Sequence, residues 1–190
     1  MPEEIVGNPA LLKGVAYSGR ERMKHLEERG EMAFGIVFLG LAAAHTGDAE
    51  LAQRAINELG TRYWTYGMGS LHYPFPDKNH FDFRNGRSFC GSVFNTDISG
   101  GFPYLCASTL VYSDPGLIRF FPARPEQWKS GSIKGLRLRG AITLVELTWD
   151  GTHAKAVLIA DKNQTVTIVT PEGQKRACVL HAGMPENVNL

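Results

Sequence analysis

The sequence predicts an α+β protein in which helices come first and an antiparallel β module follows. Residues 10–60 carry apolar side chains at helical spacing, whereas residues 117–181 hold short β-branched and apolar runs separated by turn signals. Between them, residues 61–98 are rich in aromatics and glycines and follow no clear period. We therefore expect a helical region at 1–115, which includes the aromatic loop, and a C-terminal β module at 116–190.

The first helix is expected to end near Gly30, since glycine favours helix ends. Its apolar positions recur every three or four residues: Leu11, Leu12, Val15, Ala16, Met23 and Leu26. The next segment, "EMAFGIVFLGLAAAH" at 31–45, is apolar on nearly every side, which is typical of a buried helix.

A third helix is predicted after "TGD", with Asp48 as its N-terminal cap. Gly60 is the expected end of this helix. One apolar stripe marks it as amphipathic and places it outside the buried helix as the second arm of a hairpin. The stripe consists of Leu51, Ala52, Ala55, Ile56 and Leu59.

Composition argues against several classes of function. The net charge is +1, and the densest basic stretch, "KGLRLR" at 134–139, alternates as a solvated strand face does, so no nucleic acid partner is expected. The longest apolar stretch, Met32 to Ala44, is shorter than the roughly 20 residues that span a bilayer, so no membrane partner is expected either. The opening "MPEEIVGNPA" lacks the features of a signal peptide.

The aromatic loop offers candidate sugar-binding residues, because an aromatic ring stacks on the apolar face of a pyranose. The candidates for substrate binding are Trp64, Tyr66, His72 and His80. A second interpretation is that the aromatics of this loop only pack it onto the body of the protein. A wider aromatic set around the loop, for a binding module without catalysis, comprises Tyr63, Trp64, Tyr66, His72 and Tyr73.

Metal, cofactor and thiol chemistry find little support. The spacing of His72, His80 and Asp82 matches no standard zinc pattern, so no metal site is expected. No dinucleotide, phosphate-binding or serine-hydrolase motif is found, and no cofactor is expected. The cysteines, Cys90, Cys106 and Cys178, are odd in number without CxxC spacing, which disfavours a disulfide scaffold.

Asp97 is the one acid in "VFNTDISGGFPYLCASTLVY" at 93–112. A helix is expected from about Gly101 to Tyr112, with a break at "SDPGL". Asp97 therefore has two compatible interpretations: a helix cap, or a catalytic carboxylate presented on a loop. In the β module, "WDGT" at 149–152 predicts a hairpin turn.

A longer pattern carries a family resemblance. It begins with Phe94 and Asp97, continues through "FPARP" at 121–125 and Trp128, and ends with Gly131 and the segment "KGLRLRG" at 134–140. In this order the residues resemble the C-terminal part of glycoside hydrolase family 95, the α-L-fucosidase-like enzymes. A weaker likeness extends the match to about residues 31–171.

The resemblance implies an (α/α)6 barrel followed by a β-sandwich, and the hydrolysis of terminal α-linked fucose or a related sugar with inversion. In that family a barrel glutamate protonates the leaving oxygen, and an aspartate helps asparagines to activate water; Asp97 matches that aspartate. No general acid is identified here. The glutamates near the first helix end are interpreted as a solvated face: Glu21, Glu27, Glu28 and Glu31.

Three functional hypotheses remain open at this point. The first is a C-terminal fragment of such a hydrolase, incomplete on its own. The second is a non-catalytic carbohydrate-binding or scaffolding module, and the third is a structural assembly without a ligand. An opened barrel should expose apolar surface, so we expect a homo-oligomer or a missing upstream barrel segment. The resemblance also implies a secreted or periplasmic full-length protein.

Overall fold

The helices and strands of the chain fall into two units, Met1–Thr109 and Leu110–Leu190. The first unit holds the described helices, and the second holds the described strands, so the predicted α+β class and the order of its parts are confirmed. The computed structural model describes residues 7–29, 32–64, 70–71, 95–151 and 153–190.

The helices of the first unit begin with α1. Asn8 caps this helix, because its Oδ1 accepts hydrogen bonds from the backbone N–H groups of Ala10 at 3.1 Å and Leu11 at 3.2 Å. Of the apolar positions predicted in α1, Met23 and Leu26 are buried, whereas Leu11 is 50% exposed. The bounds are α1 Pro9–Arg29, α2 Ala33–Thr46, α3 Ala49–Arg62 and α4 Thr96–Leu110.

The predicted hairpin of α2 and α3 is confirmed. Gly47, at a φ of 81°, ends α2, and Asp48 caps α3 by accepting from the N–H of Leu51 at 3.1 Å. The predicted apolar stripe of α3 is buried along its whole length. The expected helix end at Gly60 is wrong, since α3 continues to Arg62. Glycine there costs helix stability, and burial of the stripe outweighs that cost.

Helix α2 is not buried on every side, which corrects the prediction for this segment. Ala33, Ile36 and Ala44 are buried, but 37% of Phe34 and 66% of Phe38 remain exposed. The two rings lie edge to face, with their centroids 6.2 Å apart. The helix is apolar all round, and the described elements cover only part of it. The two rings lie on the uncovered side.

Helices of this unit pack closely against each other at Gly40 of α2. A Cβ at this position would lie 2.6 Å from Leu105 Cδ2 and 2.9 Å from Ala55 Cβ. We expect Gly40→Ala to lower the free energy of unfolding by about 1–3 kcal/mol, because the short Ala55 side chain cannot move aside. Chemical denaturation measures this loss. Gly14→Ala is the matched control, since nothing lies within 4 Å of its added Cβ. It should be neutral or stabilising by up to about 1 kcal/mol, and equal effects of both variants would contradict the prediction.

The second unit contains two four-stranded sheets. Sheet 1 has the order β1-β2-β6-β7, and sheet 2 has the order β3-β4-β5-β8. All neighbours pair antiparallel except β2 and β6, which run parallel and depart from the predicted arrangement. The bounds are β1 Val111–Asp114, β2 Leu117–Phe120, β3 Ser130–Leu138, β4 Ile142–Asp150, β5 His153–Ala160, β6 Gln164–Val169, β7 Lys175–Leu180 and β8 Pro185–Asn189.

The predicted hairpin at "WDGT" joins β4 to β5. Asp150 pairs with His153 across the turn, and Gly151 adopts the positive φ of 59° that such a short connection requires. The predicted solvated face of β3 is also confirmed, because Lys134 and Arg137 are exposed. Lys134 Nζ lies 2.9 Å from Glu146 Oε1.

One hydrophobic core draws on both sheets. Phe120 and Ile168 of sheet 1 and Leu147 and Leu158 of sheet 2 are fully buried within a single cluster. Since both sheets bury one face in the same core, the unit is a β-sandwich.

The segment that carries the family-like pattern packs against Trp149, one of the residues of this core. The indole N–H of Trp149 donates to the carbonyl oxygen of Trp128 at 2.8 Å. Gly131 lies against the same indole, since a Cβ there would come within 2.6 Å of Trp149 Cζ2. Phe121 packs edge to face on Trp149 at 5.6 Å, and Arg124 lies 4.7 Å above the Phe121 ring. The glycine and the tryptophan of the pattern therefore have packing roles.

Candidate functional site

Asp97 lies in the first turn of α4, which begins at Thr96. The predicted start near Gly101 is therefore wrong, and the helix continues through Pro103 to Leu110. The Asp97 side chain is exposed. The positive end of the helix dipole favours a carboxylate in this turn.

Asn95 caps α4, and this corrects the interpretation of Asp97 as the capping residue. The Oδ1 of Asn95 accepts a hydrogen bond from the N–H of Ile98 at 3.0 Å. A capping side chain must precede the first helical residue, and Asp97 already lies inside the helix. The amide of Asn95 also donates from Nδ2 to Asp97 Oδ2 at 3.4 Å. One buried asparagine thus holds both the helix start and the carboxylate.

Ser70 fixes the backbone of Asn95 from a distant part of the sequence. Its Oγ accepts from the N–H of Asn95 at 2.9 Å and donates to the carbonyl oxygen of Asn95 at 3.0 Å. The hydroxyl of Ser99 lies 2.9 Å from the same Oγ. Ser70 and Asn95 are both buried, so these hydrogen bonds are shielded from water and hold the start of α4 in place.

Trp64 lies beside this network. It forms a β-bridge with Ser70, and its ring packs edge to face on Phe102 of α4 at 6.1 Å. Trp64 is half-buried, so part of its indole is open to a ligand. Among the sequence-predicted residues, Trp64 therefore contacts Ser70 and Asp97 contacts Asn95, the two members of this hydrogen-bonded pair.

Other residues proposed from the sequence have different outcomes. Tyr63 is fully buried, so it cannot stack on a sugar as the binding-module hypothesis expected of it. Glu21 and Glu28 are exposed, as interpreted from the sequence. Other predicted positions lie outside the described residues: Gly30, Glu31, Tyr66, His72, Tyr73, His80, Asp82, Cys90 and Phe94, together with the side chain of Glu27.

The thiols of Cys106 and Cys178 are poor nucleophiles. Burial raises the pKa of Cys106, on α4, to about 11. Burial and the carboxylate of Glu186 raise the pKa of Cys178. Both thiols are therefore protonated at neutral pH, where the reactive form would be the thiolate.

Within ranges 7–29, 32–64, 70–71, 95–151 and 153–190, no three His, Cys, Asp or Glu side chains converge as metal ligands would. No helix in these ranges combines the length and apolarity needed to cross a bilayer.

The sequence singled out Asp97 as a candidate, but not Asn95 and Ser70, the two residues that hold the helix start beside it. Asn95 had a usable signal, because asparagine is a preferred capping residue and stands just before the first helical residue. Ser70 had none, since it lies 25 positions from the backbone that it holds.

Comparison with known families concerns the β-sandwich. Residues 112–188 match the family model described as the glycoside hydrolase family 95, C-terminal domain. The resemblance to the C-terminal part of this family is therefore confirmed over these residues. No curated protein matches the chain.

Proposed function

We propose, from the premise that residues 112–188 are a glycoside hydrolase family 95 C-terminal domain, that the chain is the C-terminal part of an inverting hydrolase. Its substrate is a terminal α-linked fucose or a related sugar. In this proposal helices α1–α4 are the last helices of an (α/α)6-barrel type domain. The family match carries the proposal, and Asp97 agrees with it because it lies in α4, the helix that ends just before the matched residues 112–188.

Asp97 has the role of the general base in this proposal. Inversion requires one carboxylate to activate water and one carboxylic acid to protonate the leaving oxygen on the opposite face of the sugar. The exposed carboxylate of Asp97 meets the first requirement, because the start of α4 and the Asn95 amide both favour negative charge there. Asn95 acts on the reaction through the orientation of Asp97.

The general acid comes from outside this chain, and the chain alone is incomplete. The exposed apolar surface of the helical unit supports this, since Phe38 and Tyr17 are 66% and 69% exposed. A groove of about 460 Å³ runs beside α1 and is lined by Leu11, Val15 and Leu39. An upstream barrel segment or a second copy of the chain would cover these side chains.

A non-catalytic carbohydrate-binding module is the second candidate function. The half-buried indole of Trp64 beside Ser70 favours it, because a partly open ring suits contact with a sugar face. Under this hypothesis Trp64→Ala abolishes sugar binding, and Asp97→Asn leaves it unchanged.

Glycosyl fluorides test the proposal, because fluoride leaves without help from an acid and a site with only its base still acts on them. We expect the purified chain to hydrolyse α-fucosyl or α-galactosyl fluoride while it leaves the matching methyl glycosides intact. ¹H NMR of the first product should show the β anomer, as inversion requires.

Two results would count against the proposal. Retention of the α configuration would exclude an inverting mechanism. Turnover of the methyl glycosides would show that the chain holds its own general acid, and that it is not an incomplete fragment.

A further inference from the structure

A cavity of about 400 Å³ lies at one end of sheet 2, in the β-sandwich. All its lining residues belong to the second unit, whereas α4 begins in the first. Strands β4, β5 and β8 supply its polar lining, which consists of Thr148, Asp150, His153, Lys155 and Asn189.

Strand register explains why these polar side chains lie together. Thr148 pairs with Lys155, and Lys155 pairs with Asn189, so the three form one row across three neighbouring strands. Asp150 and His153 form the adjacent pair at the end of the hairpin. Residues opposite each other, and residues two apart on one strand, project from the same face of a sheet. The five side chains therefore share one face.

The charged groups of this cavity differ from the paired charges of β3 and β4. Lys134 is paired with Glu146, and Arg137 donates hydrogen bonds to Asp161 that lower the pKa of that carboxyl. Within the described part of the chain, the side chains of Asp150, His153 and Lys155 form neither hydrogen bonds nor ion pairs. Their donors and acceptors thus remain open to a ligand.

The rest of the lining is apolar. Trp149, Ala154 and Leu190 contribute it, and Trp149 is held in place by its bond to the carbonyl oxygen of Trp128. These three residues alternate with the polar row and pack against the core on the other face of sheet 2. The ligand-facing side is therefore polar, which suits a ligand rich in hydroxyl groups.

We propose that this cavity binds one neutral monosaccharide unit of a glycan. Asp150 accepts hydrogen bonds from hydroxyl groups, Lys155 donates to them, and His153 and Asn189 can do either. One carboxylate and one ammonium group balance in charge, which favours a neutral polyol over an acidic or a basic sugar. The choice of a sugar as ligand rests on the proposed function, whereas the site itself rests on the β-sandwich alone.

The test uses the full chain and free monosaccharides, which carry no glycosidic bond to hydrolyse. L-Fucose and D-galactose are titrated into the ¹⁵N-labelled protein, and amide shifts are followed by NMR. We expect saturable shifts around Asp150, Lys155 and Asn189, with a Kd on the order of 1–10 mM. Asp150→Ala should weaken binding at least about ten-fold, because hydrogen bonds to charged groups are stronger than neutral ones. D-Glucuronate and D-glucosamine should bind more weakly than either neutral sugar.

The control is Glu146→Ala on the same strand, whose carboxylate is already paired with Lys134. It should leave sugar affinity unchanged. The inference is overturned if no saturable shift occurs at the β4, β5 and β8 residues, if Asp150→Ala binds as the parent does, or if a charged sugar binds best. Shifts confined to the start of α4 would also overturn it while leaving the proposed hydrolase intact. Binding at the cavity by a chain that never hydrolyses a glycosyl fluoride would support this inference and count against the proposed hydrolase.

Discussion

Replacing Asp97 by asparagine is expected to lower the rate of glycosyl fluoride hydrolysis by about 10²-fold or more. Asparagine keeps the size of the side chain and still accepts a hydrogen bond from Asn95, but it cannot take a proton from water. A 10²-fold loss corresponds to about 2.7 kcal/mol of activation free energy. The measurement is fluoride release by the parent chain and the variant under the same conditions.

Stability separates this catalytic effect from a structural one. Loss of a negative charge in the first turn of a helix costs only about 0.3–1 kcal/mol, so Asp97→Asn should remain folded. Glu50→Gln is the matched control, because Glu50 is an exposed acid in the first turn of α3. It should change stability by a similar amount and leave fluoride release unchanged. If Asp97→Asn and Glu50→Gln release fluoride equally fast, Asp97 is not the base.

Local signals predicted much of the helical unit. The stripe on α3 and the cap at Asp48 lie within one turn of the residues that they contact, so the sequence displays them directly. The end of α3 depends on tertiary contacts, which local helix propensity does not show. Helix α3 continues beyond Gly60 to Arg62 because the residues on either side of this turn, Leu59 and Tyr63, are both fully buried.

The β-sandwich was predictable in its hairpins and not in its sheet order. Asp150 and His153 pair across a short turn, which the sequence "WDGT" predicts. Leu117 and Thr167 pair in parallel from distant parts of the chain, and no local pattern encodes that partner. The same limit applies to the candidate site, where Asp97 was visible and the contact of Ser70 with Asn95 was not.

Replacing Phe120 by alanine is expected to lower the free energy of unfolding by about 3–5 kcal/mol. Phe120 is fully buried on β2, and β2 lies between β1 and β6 in sheet 1. The loss combines the transfer energy of the ring with the cavity left in a core that both sheets share. A folded domain has only about 5–15 kcal/mol of net stability, so this one change should bring the β-sandwich close to unfolding.

Urea denaturation followed by tryptophan fluorescence measures this loss, since Trp128 and Trp149 both report on the β-sandwich. The slope of free energy against urea should stay unchanged, because the folded state remains the same. Val179→Ala is the control on β7, where the side chain is 56% exposed, and its effect should stay within about 0.5 kcal/mol. A loss below about 1 kcal/mol for Phe120→Ala would mean that the two sheets do not share one tightly packed core.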